Sequence, residues 1–164
     1  MRKRLAERSG YVHAEQLHGR SGLQTLQGIF AGELPPPPMG DTLGFLPIRI
    51  EHGLAIFQGR PDVRYYNPMG TVHGGWFAAL LDSAMGCAVH STLPAATAYT
   101  TLELKVNLVR SLTDAVPLVR AEGVLLHGGR QVATAEGRIV GPDMKLYAHA
   151  TTTCLILDRR KSAA

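Results

Sequence analysis

The chain has 164 residues, 45% of them apolar and 18% charged, with a formal net charge of +4. That length supports one domain with a core of its own, and that composition excludes a disordered or fibrous chain. The charge sits at the ends. Residues 1–20 hold five Lys/Arg against two acids, 158–164 hold three against one, and 21–157 nets −1. A nucleic-acid binder carries its basic face on the folded body, so no nucleic-acid partner is expected.

Residues 1–20 are polar and mixed in charge, and are expected to be frayed or weakly helical. Leu23, Leu26, Ile29 and Phe30 then recur at helical spacing behind Ser21, a residue suited to an N-cap. That short helix ends near Gly32. Prolines 35–38 predict a stiff extended connector rather than helix or central strand. Two short strands are expected over 45–52 and 54–60, turning at His52-Gly53. Residues 67–70, with Pro68 and Gly70, read as a turn. From Gly74 to about His90 the chain reads as a helix, apolar almost all round, so it should be surrounded by protein. In 99–109, Leu102, Leu104, Val106 and Leu108 alternate with Thr101, Glu103, Lys105 and Asn107, which predicts one dry and one wet face. Further strands are expected over 118–127, 131–140 and 145–157, joined by turns at 127–130 and 141–143. A capping helix, a hairpin, one buried helix and a meander of long strands make an α+β fold. The division expected is a 1–41 extension with a short helix and proline-rich connector, a 42–158 domain, and a 159–164 basic tail.

Cys87 and Cys154 lie in apolar runs without the spacing of a zinc site or disulfide framework. Reduced thiols and a cytoplasmic location follow as expectations, and no metal is expected. The apolar stretch 76–96 is broken by Asp82, His90 and Pro94, a poor membrane span. No apolar signal core follows the charged residues 2–4.

The segment from Asn67 through His73-Gly74-Gly75 to Asp82 holds the chemistry. The first turn of a helix offers free N–H groups and the positive end of the dipole, and glycine there lets a carbonyl approach the backbone. An N–H aimed at a thioester oxygen stabilises the oxyanion formed on attack. The plain alternative is a tight glycine entry into the helix. Asp82, set among Ala79, Leu80, Leu81, Ala84 and Met85, is costly unless paired or used. Its plain alternative is a carboxylate satisfied by a neighbour such as Ser83. Gly74 and Asp82 are eight residues apart on one helix, about 12 Å along the axis. If both serve one reaction, the Asp comes from a second, antiparallel copy in a two-fold dimer. His73 at the helix entrance orients a neighbour or caps the turn; Asn67 is able to hold a carbonyl or water, though an Asn-Pro turn is common without function; and Thr100 and Thr101 start the first long strand, where two Thr are ordinary but a hydroxyl is able to reach Asp82. His127-Gly128-Gly129 repeats three letters of the motif in a hairpin, where a simple turn explains it.

The spacing Asn67-x-x-Gly70-x-x-His73-Gly74-Gly75 with Asp82 nine positions after the His resembles the PaaI-like acyl-CoA thioesterases of the hotdog fold. The strands 99–107 and 147–157 resemble that family's too, so the likeness covers about 42–157. It implies an antiparallel sheet wrapped around one central helix, with an extra N-terminal helix here, and a homodimer that assembles further into a homotetramer. It also implies hydrolysis of an acyl-CoA to free acid and coenzyme A with no separate cofactor, coenzyme A being part of the substrate. Asp82 is then general base or nucleophile, Gly74 N–H polarises the carbonyl, and Asn67 positions the carbonyl or water with His73 supporting the loop. Thr101, rather than Thr100, assists Asp82, and Gly129 and Arg130 contact coenzyme A. The acyl group is expected to be aromatic or medium-chain. A hotdog hydratase or dehydratase, and a non-catalytic acyl-CoA sensor, remain alternatives.

Overall fold

The computed structural model describes residues 9–158. The basic residues 2–8 and the tail 159–164 lie outside the described residues. Among the described residues, three short helices precede the sheet: α1 (Ala14–Leu17), α2 (Gly22–Ala31) and α3 (Pro38–Leu43). Strands β1 (Phe45–Glu51) and β2 (Leu54–Gly59) form a hairpin with Gly53 at φ 76°. A 3-10 turn, Val63–Tyr65, leads to the long helix α4 (Gly74–His90). Strands β3 (Thr97–Leu108), β4 (Val119–Gly128), β5 (Val132–Val140) and β6 (Leu146–Asp158) complete one antiparallel sheet in the order β1-β2-β4-β5-β6-β3. This is the α+β hotdog arrangement, a sheet curled around one helix.

Helix α4 turns Trp76, Phe77, Leu80, Leu81, Ala84, Met85, Ala88 and Val89 into the core against Ala55, Ala121, Ala133, Ala135 and Ile139. Small residues on the strands let the helix lie close. Gly123 on β4 faces the main chain of Ala84 and Met85, where any side chain would collide. The opposite face of α4, with Gly75, Ala78, Ala79, Asp82, Ser83 and Cys87, is only partly covered. The carboxylate therefore lies beside the apolar core rather than within it, because Leu80, Leu81, Ala84 and Met85 take the sheet-facing positions.

Helix α2 is capped as its sequence predicts. Ser21 Oγ accepts from Gln24 N–H at 3.3 Å, and Gly32 closes the helix at φ 80°. Gly22 N–H donates to Leu93 O at 2.9 Å, tying α2 to the chain just beyond α4. The proline run differs from expectation. Pro38 begins helix α3, with Pro37 as N-cap. A proline at the first helical position loses no hydrogen bond, and its fixed φ suits the helix.

The alternation along β3 also differs. The β3–β6 register slips between Thr101 and Glu103, so Leu102 bulges out of the ladder and is 58% exposed. Thr101 pairs with the buried Cys154, while beyond the bulge Leu104 and Val106 take the helix-facing side. A bulge inserts one residue and reverses which side chains face the core.

Candidate active site

The loop before α4 is built by Asn67. Its Oδ1 accepts from Met69 N–H at 2.9 Å and Thr71 N–H at 3.3 Å, and its Nδ2 donates to Thr71 Oγ1 at 3.0 Å. Gly70, at φ 77°, closes the turn by donating to Asn67 O at 3.1 Å. Val72 N–H to Leu112 O at 2.9 Å and His73 N–H to Tyr65 O at 2.7 Å then aim the chain into the helix.

His73 is the N-cap. Its Nδ1 accepts from Gly75 N–H at 2.9 Å, which assigns the ring proton of the neutral imidazole to Nε2. Trp76 N–H donates to His73 O at 3.0 Å. Gly74, as the first helical residue, has no carbonyl inside the helix for its own N–H. It lines a cleft of about 200 Å³ with Asn67, Thr71, Phe77, Arg110 and Ser111. Arg110 and Ser111 escape a reading of the sequence, since nothing local marks the end of β3 as lying beside Gly74. Val109 and Arg110 N–H both donate to Tyr147 O, and the Arg110 guanidinium lies 5.9 Å from the Tyr147 ring centroid.

Asp82 is half-buried and takes no part in that cleft. Thr101 Oγ1 donates to Asp82 Oδ1 at 3.0 Å. Ser83, the plain alternative partner, donates instead to Ala79 O at 2.8 Å. Thr100 is exposed on the far face, opposite Leu155. The Tyr99 phenol and the Cys87 and Cys154 thiols near Asp82 are all shifted toward their neutral forms. Burial, with the Cys87 and Asp82 charges adding to it, raises Tyr99 well above the usual phenol range, and burial with the Asp82 charge pushes the Cys87 thiol up to about 12. Cys154 is raised for the same two reasons, burial first. Asp82 thus keeps company with groups that carry no competing charge near neutral pH.

Gly129 and Arg130 sit in the β4–β5 hairpin, where Gly129 N–H donates to Val132 O at 2.9 Å. Leu125, just before that hairpin, bonds Gly53, which in turn bonds Ser91 at the C-terminal end of α4. Within one chain they lie away from the Gly74 cleft and do not line it. Among the described residues no three His, Cys, Asp or Glu side chains gather as metal ligands, and no helix is long and apolar enough to cross a membrane.

A sheet curled around one helix, with Gly74 at that helix's start lining a cleft, is the arrangement of the hotdog fold. The thioesterase superfamily profile matches residues 69–148. The phenylacetic acid degradation-related protein of Ralstonia eutropha is 30% identical, with a TM-score of 0.73 over 79% of this chain and 98% of its own. A conserved protein of Pseudomonas aeruginosa is also 30% identical, with a TM-score of 0.67 over 72% and 92%. A single-site mutant of the phenylacetic acid degradation protein PaaI from Thermus thermophilus is 28% identical, with a TM-score of 0.65 over 72% and 97%. No curated protein matches. The chain belongs to the PaaI-like family of hotdog thioesterases and is a thioester hydrolase of the acyl-CoA type.

Proposed function

We propose that this protein hydrolyses an aromatic or medium-chain acyl-CoA to the free acid and coenzyme A, in a homodimer whose two active sites each draw on both chains, with no resident metal or prosthetic group. The observation that carries it is the pairing of Asp82 with Thr101 at the middle of a helix whose first residue, Gly74, lines a cleft. The eight residue steps from Gly74 to Asp82 span about 12 Å, so a carbonyl at Gly74 meets the Asp82 of an antiparallel second helix. The partly covered face of α4, rich in alanine and glycine, suits such an approach.

In this reading Gly74 N–H, at the positive end of α4, holds the thioester oxygen and stabilises the negative charge that develops there. Asn67 and His73 act through the loop: their side chains are spent on holding Thr71 and Gly75, which fixes where Gly74 points. The partner's Asp82, with Oδ1 held by Thr101, either takes a proton from the attacking water or attacks the acyl carbon itself to give an anhydride that water opens. Both paths expel the coenzyme A thiolate. The polar side of the cleft, with Arg110 and Ser111, suits the amide-rich arm of coenzyme A, while Gly129 and Arg130 of the hairpin remain contacts for its outer part. Two such dimers pair into a tetramer, which light scattering after gel filtration measures.

The aryl preference rests on the likeness to phenylacetic acid degradation proteins of Ralstonia and Thermus and on the tyrosines and tryptophan beside the helix start. The test is Asp82→Asn. Steady-state turnover of phenylacetyl-CoA should fall about 10²–10⁴-fold, the usual range for losing a positioned acid–base group, with the fold and assembly unchanged. Undiminished turnover in a folded Asp82→Asn protein would refute the assignment.

A further inference from the structure

The bulge in β3 sets two demands against each other. Leu102, Leu104 and Val106 alternate in sequence, and a regular ladder would bury all three. Leu102 is instead 58% exposed, while Thr101 lies opposite the buried Cys154 and Leu104 lies opposite Thr152. The step from Thr152 to Cys154 on β6 is thus matched by a longer one on β3, from Leu104 to Thr101, with Leu102 as the extra residue. Moving the extra residue toward the start of β3 would put Leu102 opposite Cys154 and turn Thr101 to the outer face, because a one-residue shift reverses the faces of a strand. Apolar burial favours that competing register, so the observed one needs a hold of its own.

Thr152 is placed to supply that hold. Among the described residues the buried polar side chains are Thr25, Ser91 and Thr152. Thr25 donates to Ser21 O at the start of its own helix, and Ser91 Oγ accepts from Gly53 N–H. Thr152, 2% exposed, donates its hydroxyl proton to Glu103 O across the strands at 2.7 Å. In a regular ladder the carbonyls lie in the sheet and point at the next strand, while inward side chains stand off it. A bulge disrupts the ladder locally, and here the carbonyl just beyond the extra residue meets an inward hydroxyl. We infer that Thr152 is a positioning residue for the hydrolysis: by holding Glu103 O it fixes the bulge at Leu102 and keeps the Thr101 hydroxyl aimed at Asp82. The inference rests on the hydrolase reading above, in which Asp82 works with Thr101. Thr152 does not line the Gly74 cleft, so its effect on the rate passes through Thr101.

The experiment measures kcat and KM for phenylacetyl-CoA in Thr152→Val, which keeps the branched shape without the hydroxyl, in Thr152→Ala and in Thr152→Ser. The Val and Ala variants should lose roughly 5- to 20-fold in kcat, within the range of coupling between contacting residues, with KM changed by less than about twofold. Thr152→Ser, which keeps the donor, should restore most of the rate. In a Thr101→Val background, Thr152→Val should lower kcat by less than about twofold further, because the group it positions is already gone. A residue that only stabilises the sheet would lower the thermal midpoint and leave kcat alone, or would add its full loss in that background. Wild-type kcat in folded Thr152→Val or Thr152→Ala, or a fully additive loss in the Thr101→Val background, would overturn the inference. Undiminished turnover in Asp82→Asn would instead refute the hydrolase reading, so the two failures are told apart.

Discussion

Thr101 is the residue that ties strand to chemistry. Its hydroxyl reaches Asp82 Oδ1 at 3.0 Å only because Leu102 bulges out of β3. A hydrogen bond to a charged group contributes about 1.5–3 kcal/mol, so Thr101→Val should lower kcat by roughly 10- to 100-fold, while Thr101→Ser should recover most of the loss. Equal rates for Thr101→Val and wild type would show that Asp82 works without this donor. Asp82, His73 and Gly74 are legible in the sequence, because a carboxylate in an apolar helix and a His-Gly-Gly entrance are local anomalies. The side of β3 that Thr101 takes is not. Strict alternation sets Thr101 with Glu103 and Lys105 on the wet face, and no glycine or proline marks the bulge. Arg110 and Ser111 are equally hidden, since they join Gly74 only through the way β3 ends against Tyr147.

At the scale of elements, α4 runs over Gly74–His90 as its pattern predicts, since a glycine entrance and an unbroken apolar run leave few alternatives. Helix α3 escapes the sequence because four prolines read as extended chain, and only the last of them occupies a first helical position. Where α4 rests on the sheet depends on Gly123, whose Cα faces the main chain of Ala84 and Met85. A backbone cannot swing aside as a side chain does, so Gly123→Ala should sit at the upper end of overpacking costs, about 3 kcal/mol. For a chain of this size that lowers the thermal midpoint by roughly 6–12 °C, readable by circular dichroism. An unchanged midpoint would mean that α4 floats on the sheet rather than being seated by this glycine.

For the whole molecule the deciding quantity is a length. The sequence carries it already, because helix rise is fixed and Gly74 and Asp82 share one helix; the fold keeps them on that helix, with Asp82 outside the cleft that Gly74 lines. The two halves of the proposed site can be disabled separately. Gly74→Pro removes the N–H donor at a position where proline suits a helix, after a His73 already at φ −62°, ψ 140°. A Cβ there meets only the end of the Leu108 side chain. Alone, Gly74→Pro should lower kcat by about 10²–10³-fold, and Asp82→Asn should be similarly impaired. The decisive measurement is the acyl-CoA hydrolase rate of the heterodimer of these two variants, co-expressed with different tags and purified through both. If each site joins Gly74 of one chain to Asp82 of the other, one of two equivalent sites is intact and the rate recovers to about half of wild type. A heterodimer as inactive as its parents would contradict the shared site.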